Sequence, residues 1–258
     1  MNRVLLDLGF IKIYWYSITM LLGVLFGIVI AYFEIKRKKI NISDFENMSF
    51  YAIVFGFLGA RIYYVLFNLD YYLFNPLEIM KVWNGGLAIH GGIIGAVIAI
   101  YIYCKKKKNN FILMLDIYTP ALMIGQIIGR WGNFFNSEAH GGIVTKSFLE
   151  GLHLPNFIIN GMYINGNYYH PTFIYESFFN LIGFVIIMIL RKNKKIHISF
   201  ITGFYLIWYS IVRFFVEGLR TDSLMLGNLR MAQVISIVLS ITGLILIITS
   251  PKKEKYNR

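Results

Sequence analysis

The chain has 258 residues, of which 57% are hydrophobic, and its mean hydropathy of +0.60 excludes an ordinary soluble domain and indicates an integral membrane protein. The net charge of +12 does not indicate nucleic-acid binding, because the basic residues fall in short blocks after apolar runs. The single cysteine, Cys104, excludes an internal disulfide, and nothing near it in the sequence would serve as its base if it were a nucleophile.

Seven apolar segments are long enough to cross a membrane as helices. The first is not a cleavable signal peptide, because it is long, lacks a small-residue cleavage site and carries its basic cluster on the far side. The chain is therefore predicted to be an all-α integral membrane protein with a single transmembrane domain, residues 1–258. The predicted spans are residues 13–35, 48–67, 87–103, 111–129, 172–190, 198–215 and 231–250.

The lysines and arginines predict the orientation of these spans. Four blocks of four basic residues follow spans one, three, five and seven, within residues 36–39, 105–108, 191–195 and 252–258. Because basic residues mark cytoplasmic links, the N-terminus is predicted outside and the C-terminus in the cytoplasm.

The link between spans four and five, residues 130–171, is too long for a simple turn and is predicted to form a small outward-facing cap. Its second half, residues 156–169, alternates polar and apolar residues around Asn-Gly pairs at 160–161 and 165–166. This pattern predicts a small β-hairpin with strands at 157–159, 162–164 and 168–169.

Polar residues are concentrated between glycines in residues 125–142, where the fourth span ends. A charge at membrane depth is expensive and is rarely kept without a role or a partner. The glycines allow backbone to approach a ligand or another helix closely. The polar residues of this stretch include Arg130, Asn133, Asn136, Glu138 and His140.

Three other spans carry polar groups near their outer ends. Tyr16 follows aromatic residues typical of an interfacial belt, yet its hydroxyl can turn inward. Arg61 can snorkel to the surface or pair structurally, but its depth in an apolar run favours a position facing the bundle. His90 is flanked by glycines, and both a packing role and a proton-accepting role are open for it.

Span six ends with four polar residues spaced by four, four and three positions: Tyr209, Arg213, Glu217 and Arg220. This spacing places them on one helix face. An Arg213–Glu217 pair that only neutralised itself could be replaced by apolar residues with a gain in stability, so a functional role is favoured.

In span five, Glu176 is predicted to pair with one of the arginines. Because arginine binds phosphate in a bidentate manner, the sequence predicts a lipid-phosphate site in the outer half of the bundle.

With these motifs in place, the sequence resembles the bacterial phosphatidylglycerol–prolipoprotein diacylglyceryl transferases over nearly its whole length. One local departure is Ser17, which stands where the family usually has glycine after a Trp-Tyr pair. The motifs that carry the resemblance are residues 129–141, His90-Gly91-Gly92, Gly59-Ala60-Arg61, His170-Pro171 with Tyr175-Glu176, the spaced set of span six, and Trp15-Tyr16.

The resemblance implies transfer of the sn-1,2-diacylglyceryl group from phosphatidylglycerol to the lipobox cysteine thiol of a prolipoprotein, the first step of bacterial lipoprotein maturation. It implies a multi-pass protein of the cytoplasmic (inner) membrane with its active site toward the outer leaflet. The expected partners are phosphatidylglycerol and prolipoprotein signal peptides. No nucleic acid, metal ion or other cofactor is expected, and the acidic and imidazole groups show no metal-ligand spacing such as His-x-x-x-His.

The same resemblance allows roles to be assigned to individual residues. We expect His90 to take the thiol proton and Arg130 and Arg213 to hold the charge of the phosphate leaving group. The headgroup would be positioned by Tyr16, Asn133 and Asn136, and the arginines would be oriented by Glu138 and Glu217. The remaining expected substrate contacts are Arg61, Gly141, Tyr209 and Arg220.

Two other functions are compatible with parts of the pattern. A lipid flippase or transporter could use the same arginines, but spans four and seven are almost purely apolar in their inner halves. An intramembrane protease would need a Ser–His or paired-Asp arrangement within the spans. Such a pair is not formed by the aspartates Asp7, Asp70, Asp116 and Asp222.

Overall fold

The structure is a computed structural model that describes residues 3–9, 12–250 and 254–256. Within these residues seven helices are long and apolar enough to cross a membrane, which confirms the predicted all-α membrane fold with seven spans. The helices are α1 (Trp15–Arg37), α2 (Ile42–Leu66), α3 (Leu69–Phe74), α4 (Ile89–Lys107), α5 (Phe111–Asn136), α6 (Lys146–Gly151), α7 (Asn156–Gly161), α8 (Thr172–Leu190), α9 (Phe200–Leu219) and α10 (Met231–Ile248). The membrane spans are all of these except the short helices α3, α6 and α7. The orientation of the termini stays a prediction, and Lys252, Lys253 and Arg258 of the C-terminal basic block lie outside the described residues.

Short antiparallel strands join some of the helices. The pairs are β1 with β2, β3 with β5, β4 with β5, and β6 with β7. The strands are β1 (Val4–Asp7), β2 (Lys12–Tyr14), β3 (Ile143–Val144), β4 (Tyr163–Ile164), β5 (Asn167–Tyr169), β6 (Met225–Leu226) and β7 (Leu229–Arg230).

The chain packs as two compact units. Unit 1 contains Met1–Ala31 and Leu115–Arg258, and unit 2 contains Tyr32–Met114. In unit 2, α2 and α4 approach so closely that a Cβ at Gly91 or Gly95 would collide with backbone carbonyl oxygens of α2. Glycines spaced by four residues, Gly91 and Gly95, thus allow the two helices to pack closely.

In unit 1 a buried carboxylate fixes the start of α9. Asp116 accepts hydrogen bonds from the backbone N–H groups of Ser199 at 2.7 Å and Thr202 at 2.9 Å. The Thr202 hydroxyl donates a third bond to it at 2.6 Å. Asp116 therefore satisfies N–H groups at the helix start that have no partner within the helix itself.

We predict that Asp116→Ala lowers the free energy of unfolding by about 2–4 kcal/mol, because it leaves buried donors unsatisfied. The measurement is thermal unfolding of purified protein in detergent. A matched control is Asp70→Ala, since Asp70 is exposed and its removal should change stability by less than about 0.5 kcal/mol. Equal unfolding temperatures of the two variants would contradict the prediction.

The predicted hairpin of the cap is confirmed in its second half only. Strands β4 and β5 flank Asn165 and Gly166, whose φ values of 48° and 88° are those of a type I′ turn. The predicted strand at 157–159 is wrong, because these residues lie in α7, where the N–H groups of Ile158 and Ile159 donate to the Pro155 carbonyl. Both isoleucines are buried in one core, which a strand with alternating faces does not allow.

The end of α5 also differs from the predicted span, which stopped at residue 129. Residues 130–136 were assigned to the cap link, but they continue the helix for almost two turns. The helix ends where Ser137 adopts a left-handed conformation with φ 54°. The N–H of Glu138 then donates to the Asn133 carbonyl at 3.1 Å, which closes the end of the helix as a Schellman motif does. The polar motif is therefore held mainly by a rigid helix rather than by a loop.

Candidate functional site

The centre of the site is Glu176 of α8, a buried carboxylate that is 2% exposed. Its Oε1 lies 2.6 Å from Nη2 of Arg130 on α5, and its Oε2 lies 3.2 Å from Nη1 of Arg213 on α9. The predicted pairing of Glu176 with an arginine is confirmed, and the structure shows that it pairs with two. One carboxylate thus holds the guanidinium groups of two other helices side by side.

A second buried carboxylate, Glu217, continues this cluster toward the end of α9. Its Oε2 lies 2.7 Å from Nη2 of Arg213 and 4.0 Å from Nε of Arg220. The four-residue and three-residue spacings read from the sequence produce these two contacts directly. The Nη1 of Arg230 also donates to the backbone carbonyl of Glu217, so this turn of α9 is held from outside the helix.

Antiparallel packing of α5 and α8 explains why Arg130 meets Glu176. Ile127 lies one turn before Arg130 on α5, and its carbonyl accepts a hydrogen bond at 2.8 Å from the hydroxyl of Ser177, the residue after Glu176 on α8. Two turns from the Arg130–Glu176 pair, Gly183 of α8 leaves space for Met123 of α5. A Cβ at Gly183 would lie 2.5 Å from the methyl group of Met123. These contacts fix the register of the two helices and with it the position of the Arg130–Glu176 pair.

At the end of α5, two asparagines link Arg130 to Glu138 through hydrogen bonds. Arg130 Nη1 donates to Asn133 Oδ1 at 3.3 Å, and Asn133 Nδ2 donates to Glu138 Oε1 at 3.0 Å. Asn136 Nδ2 reaches the same Glu138 oxygen at 3.4 Å. Glu138 therefore contacts the two asparagines, and Asn133 links it to Arg130.

Gly141 connects the loop after α5 to the end of α9. Its N–H donates to the His170 carbonyl at 3.0 Å, and the N–H of Gly142 donates to the Leu219 carbonyl at 3.1 Å. Gly141 also forms a β-bridge with Arg220. A Cβ at Gly141 would lie 2.6 Å from the Cβ of His170 and 3.0 Å from the Leu219 carbonyl oxygen, so only glycine fits without a shift.

We predict that Gly141→Ala displaces the bridge to Arg220 and lowers the activity of the protein by about 10- to 100-fold, because catalytic geometry is sensitive to shifts near 1 Å. Gly142→Ala is the matched control, since a Cβ there meets nothing within 4 Å. The comparison is made at equal amounts of folded protein. An active Gly141→Ala variant would show that the loop tolerates the displacement.

Two groups beside the cluster titrate outside the membrane-spanning segments. Partial burial raises the pKa of Asp222, but hydrogen bonds from Arg220 Nε and Nη2, at 2.9 and 2.8 Å, outweigh it and hold the pKa below the usual value. Burial lowers the pKa of His170, so its ring is neutral at pH 7. The Nδ1 atom of this ring lies 3.3 Å from the Tyr175 hydroxyl. Arg220 is thus paired with a carboxylate on the solvent side.

The cluster borders a narrow surface cleft in unit 1. Arginine, amide and hydroxyl groups line one part of it, and apolar side chains line the rest. Because guanidinium and amide groups donate hydrogen bonds, the arginines and Asn133 at this cleft can bind an anionic group. Its lining residues are Arg130, Asn133, Ala139, Thr172, Phe173, Glu176, Val216 and Arg220.

Two tyrosines lie beside Arg130: Tyr16 on α1, and Tyr209 on α9, the helix that also carries Arg213 and Glu217. The ring of Tyr16 packs against Gly132, where an added Cβ would lie 2.7 Å from it. Tyr209 lies on α9 one turn before Arg213 and stacks on Tyr205 with ring centroids 5.8 Å apart. Trp15 stacks on Phe135 at 4.8 Å, so the start of α1 is held against the end of α5.

Unit 1 also contains polar residues beyond the cluster that the sequence patterns did not predict as site residues. Gln126 Nε2 donates to the Tyr205 hydroxyl at 2.8 Å, one turn of α5 before Arg130. Asn180, one turn of α8 beyond Glu176, is fully buried, and neither of its amide atoms has a hydrogen-bond partner among the described residues. The sequence does contain a signal for both residues, because Gln126 lies four positions before Arg130 and Asn180 lies four positions after Glu176.

The remaining predicted residues, Arg61 and His90, lie in unit 2. His90 is exposed in the first turn of α4, and its ring lies 6.3 Å from the ring of Tyr63. Arg61 is buried, and its guanidinium donates to backbone carbonyls within its own unit. Unit 1 therefore assembles all the other predicted site residues, and contact of Arg61 with a substrate stays a prediction that these bonds do not support.

Comparisons with known proteins give a consistent result. The family model described as "Prolipoprotein diacylglyceryl transferase" matches residues 3–249. A protein of Staphylococcus saprophyticus named phosphatidylglycerol–prolipoprotein diacylglyceryl transferase is 50% identical over 252 residues, which cover 97% of this chain and 89% of the relative. A protein of the same name from Staphylococcus aureus is 49% identical over 257 residues, which cover 99% of this chain and 91% of the relative.

Proposed function

Because this chain belongs to the prolipoprotein diacylglyceryl transferase family, we propose that it transfers the sn-1,2-diacylglyceryl group of phosphatidylglycerol to the lipobox cysteine of prolipoproteins. The product is a thioether, and glycerol phosphate is released. This reaction is the first step of bacterial lipoprotein maturation. The structural observation that supports it best is the pair Arg130 and Arg213, held together by the buried carboxylate of Glu176.

The bond changes define what the site must do. The cysteine sulfur forms a bond to the terminal glyceryl carbon of the lipid, and the bond from that carbon to the phosphate oxygen breaks. The electron pair of the broken bond stays on the phosphate oxygen, so the negative charge of the phosphate increases. Arg130 and Arg213 then stabilise that charge, since preorganised donors are most effective where charge develops. Glu176 and Glu217 keep both guanidinium planes in place before the lipid arrives.

The thiol proton needs an acceptor, because a cysteine with a pKa of about 8.5 is mostly protonated at neutral pH and the thiolate is the nucleophile. We assign this role to His90, the histidine near the start of α4. The nucleophile belongs to the prolipoprotein. The chain's own cysteine, Cys104, is buried near the other end of α4, beside the lysines of its last turn.

The remaining assignments concern the lipid and the membrane. Asn133, Asn136 and Tyr16 position the headgroup, with Tyr209, Arg220 and Gly141 completing the substrate contacts. The protein is a multi-pass membrane protein with seven spanning helices. We place its N-terminus outside, its C-terminus in the cytoplasm and its site toward the outer leaflet of the inner membrane, as the distribution of lysine and arginine indicates.

The experiment that tests the function is a transfer assay with purified protein, phosphatidylglycerol and a lipobox peptide. Mass spectrometry should detect a thioether-linked diacylglyceryl peptide with the wild type. His90→Gln should lower the rate by about 10²- to 10⁴-fold if His90 is the base, whereas His153→Gln in an exposed part of the cap should not. An active His90→Gln variant would move the base elsewhere. A wild type that binds phosphatidylglycerol and makes no product would favour a flippase.

A further inference from the structure

Residues 69–84, which we call the arm, connect α2 to α4 in unit 2. The arm consists of α3 followed by two 3₁₀ segments, Pro76–Met80 and Val82–Asn84. Four large apolar side chains of the arm are spaced by three residues: Phe74, Leu77, Met80 and Trp83. Because a 3₁₀-helix has three residues per turn, this spacing places Leu77 and Met80 on one face of the first segment. Phe74 lies just before that segment, and Trp83 lies in the second one.

These four side chains are among the most exposed in the protein. Their exposed fractions are 87% for Phe74, 80% for Leu77, 75% for Met80 and 76% for Trp83. Between them, Ile79 and Val82 are only partly exposed, so the arm has an apolar outer face and a packed inner face. A row of exposed large apolar residues of this kind marks a surface that binds a protein or a membrane.

Arg61 of α2 holds the inner face of the arm in place. Its Nε donates to the Ile79 carbonyl at 2.9 Å, and its Nη2 donates to the Glu78 carbonyl at 2.6 Å. Its Nη1 donates to the carbonyls of Gly85 and Gly86 at 2.7 and 2.9 Å. The apolar face therefore cannot turn inward while these four hydrogen bonds persist.

Both glycines are required for this arrangement. Gly85 and Gly86 have φ values of 88° and 75°, which side-chain-bearing residues rarely adopt. A Cβ at Gly86 would lie 2.5 Å from Nη1 of Arg61. The guanidinium also lies over the Tyr72 ring, with Cζ 5.3 Å from the centroid. We call these contacts of Arg61 with the arm and with Gly85 and Gly86 the clamp.

We propose that the arm is an interfacial anchor, which inserts Phe74, Leu77, Met80 and Trp83 into the lipid surface of the membrane. The arm starts where α2 leaves the membrane and ends where α4 enters it, so it lies at a bilayer surface. The residues that flank the arm in the two spans, Leu66, Phe67 and Ile89, are exposed and apolar as well. Tryptophan and other aromatic residues are enriched at this depth of a bilayer. The charged residues of this stretch, Lys81 and Glu78, pair with each other at 2.5 Å and are less exposed than the four apolar side chains.

The test is quenching of tryptophan fluorescence in the full chain, reconstituted in vesicles of phosphatidylglycerol and phosphatidylcholine. The contribution of Trp83 is the difference between wild type and Trp83→Phe. Lipids brominated near the top of the acyl chains should reduce this difference signal by about twofold or more, and aqueous iodide should change it little. Quenching by iodide would show that the arm stands in water. Protection from both quenchers would show that a protein, such as a second copy of the chain, covers Trp83. Quenching by iodide and protection from both quenchers would each contradict the proposal of a membrane anchor.

A pair of variants tests the three-residue spacing in the Trp83→Phe background. Leu77→Trp places a tryptophan on the apolar face and should be quenched by brominated lipid. Asn75→Trp is the matched control, because Asn75 is exposed and lies off the row. It should be quenched by iodide instead. Equal responses of the two variants would overturn the assignment of one face to the lipid.

The clamp has an independent readout in limited proteolysis. Arg61→Gln should accelerate tryptic cleavage after Lys81 by about tenfold in detergent, because the arm then opens locally. Cleavage after Lys146, in the cap of unit 1, should keep its rate and serves as the internal control. An unchanged rate at Lys81 would mean that the four hydrogen bonds do not hold the arm.

Discussion

Arg130→Lys is expected to lower the rate of diacylglyceryl transfer by about 100- to 1000-fold, although the positive charge is kept. Arg130 binds Glu176 through Nη2 and Asn133 through Nη1, and so uses the planar fork of its guanidinium on two partners at once. A lysine ammonium is a point charge on a flexible stem and cannot hold both partners and a phosphate oxygen in one plane. The measurement is kcat in the transfer assay at saturating phosphatidylglycerol.

The control for this variant is Arg37→Lys. Arg37 also pairs with a buried carboxylate, Glu34, at 2.5 Å, but it lies in the last turn of α1, at the opposite end from Tyr16. The Arg37→Lys variant should therefore keep the wild-type kcat. If Arg130→Lys retained wild-type kcat, then Arg130 would contribute only charge, and the proposed bidentate phosphate clamp would be wrong.

Glu176→Gln is expected to destabilise the protein by about 2–4 kcal/mol and to reduce transfer as well, because it leaves two partly buried guanidinium groups without their shared counter-charge. Glutamine has nearly the same shape, so the loss reports on charge rather than on packing. Glu176 is 2% exposed, and the side chains of Arg130 and Arg213 are 21% and 15% exposed, so water can replace little of the missing charge. Thermal unfolding in detergent measures the first effect and the transfer assay the second.

A matched ion pair provides the comparison for Glu176. Glu150→Gln removes the partner of Lys146 in an exposed pair, where the side chains are 52% and 56% exposed. Such a pair contributes about 0–1 kcal/mol, so this variant should unfold at nearly the wild-type temperature. A Glu176→Gln protein that is as stable and as active as Glu150→Gln would show that the two arginines do not need the carboxylate.

Several features of this protein follow from local sequence patterns alone. The seven spans follow from the hydropathy, since every stretch that crosses lipid must be apolar and long enough. The spacing of Arg213, Glu217 and Arg220 predicts their shared helix face, because a helix has a fixed period. The Asn165-Gly166 turn was also readable, because few dipeptides adopt its left-handed conformation readily.

Other features were decided only by tertiary contacts. The register between α5 and α8 brings Glu176 to Arg130, and no local pattern in either helix specifies that register. The side chain of Arg61 turned out to bind the arm, because the carbonyls of Gly85 and Gly86 lie within its reach only after the chain has folded back. Ile158 and Ile159 became helical because both can reach one core from a helix and not from a strand. Sequence periodicity thus determined the elements and their polar faces, whereas the partner of each polar group depended on how residues distant in sequence pack together.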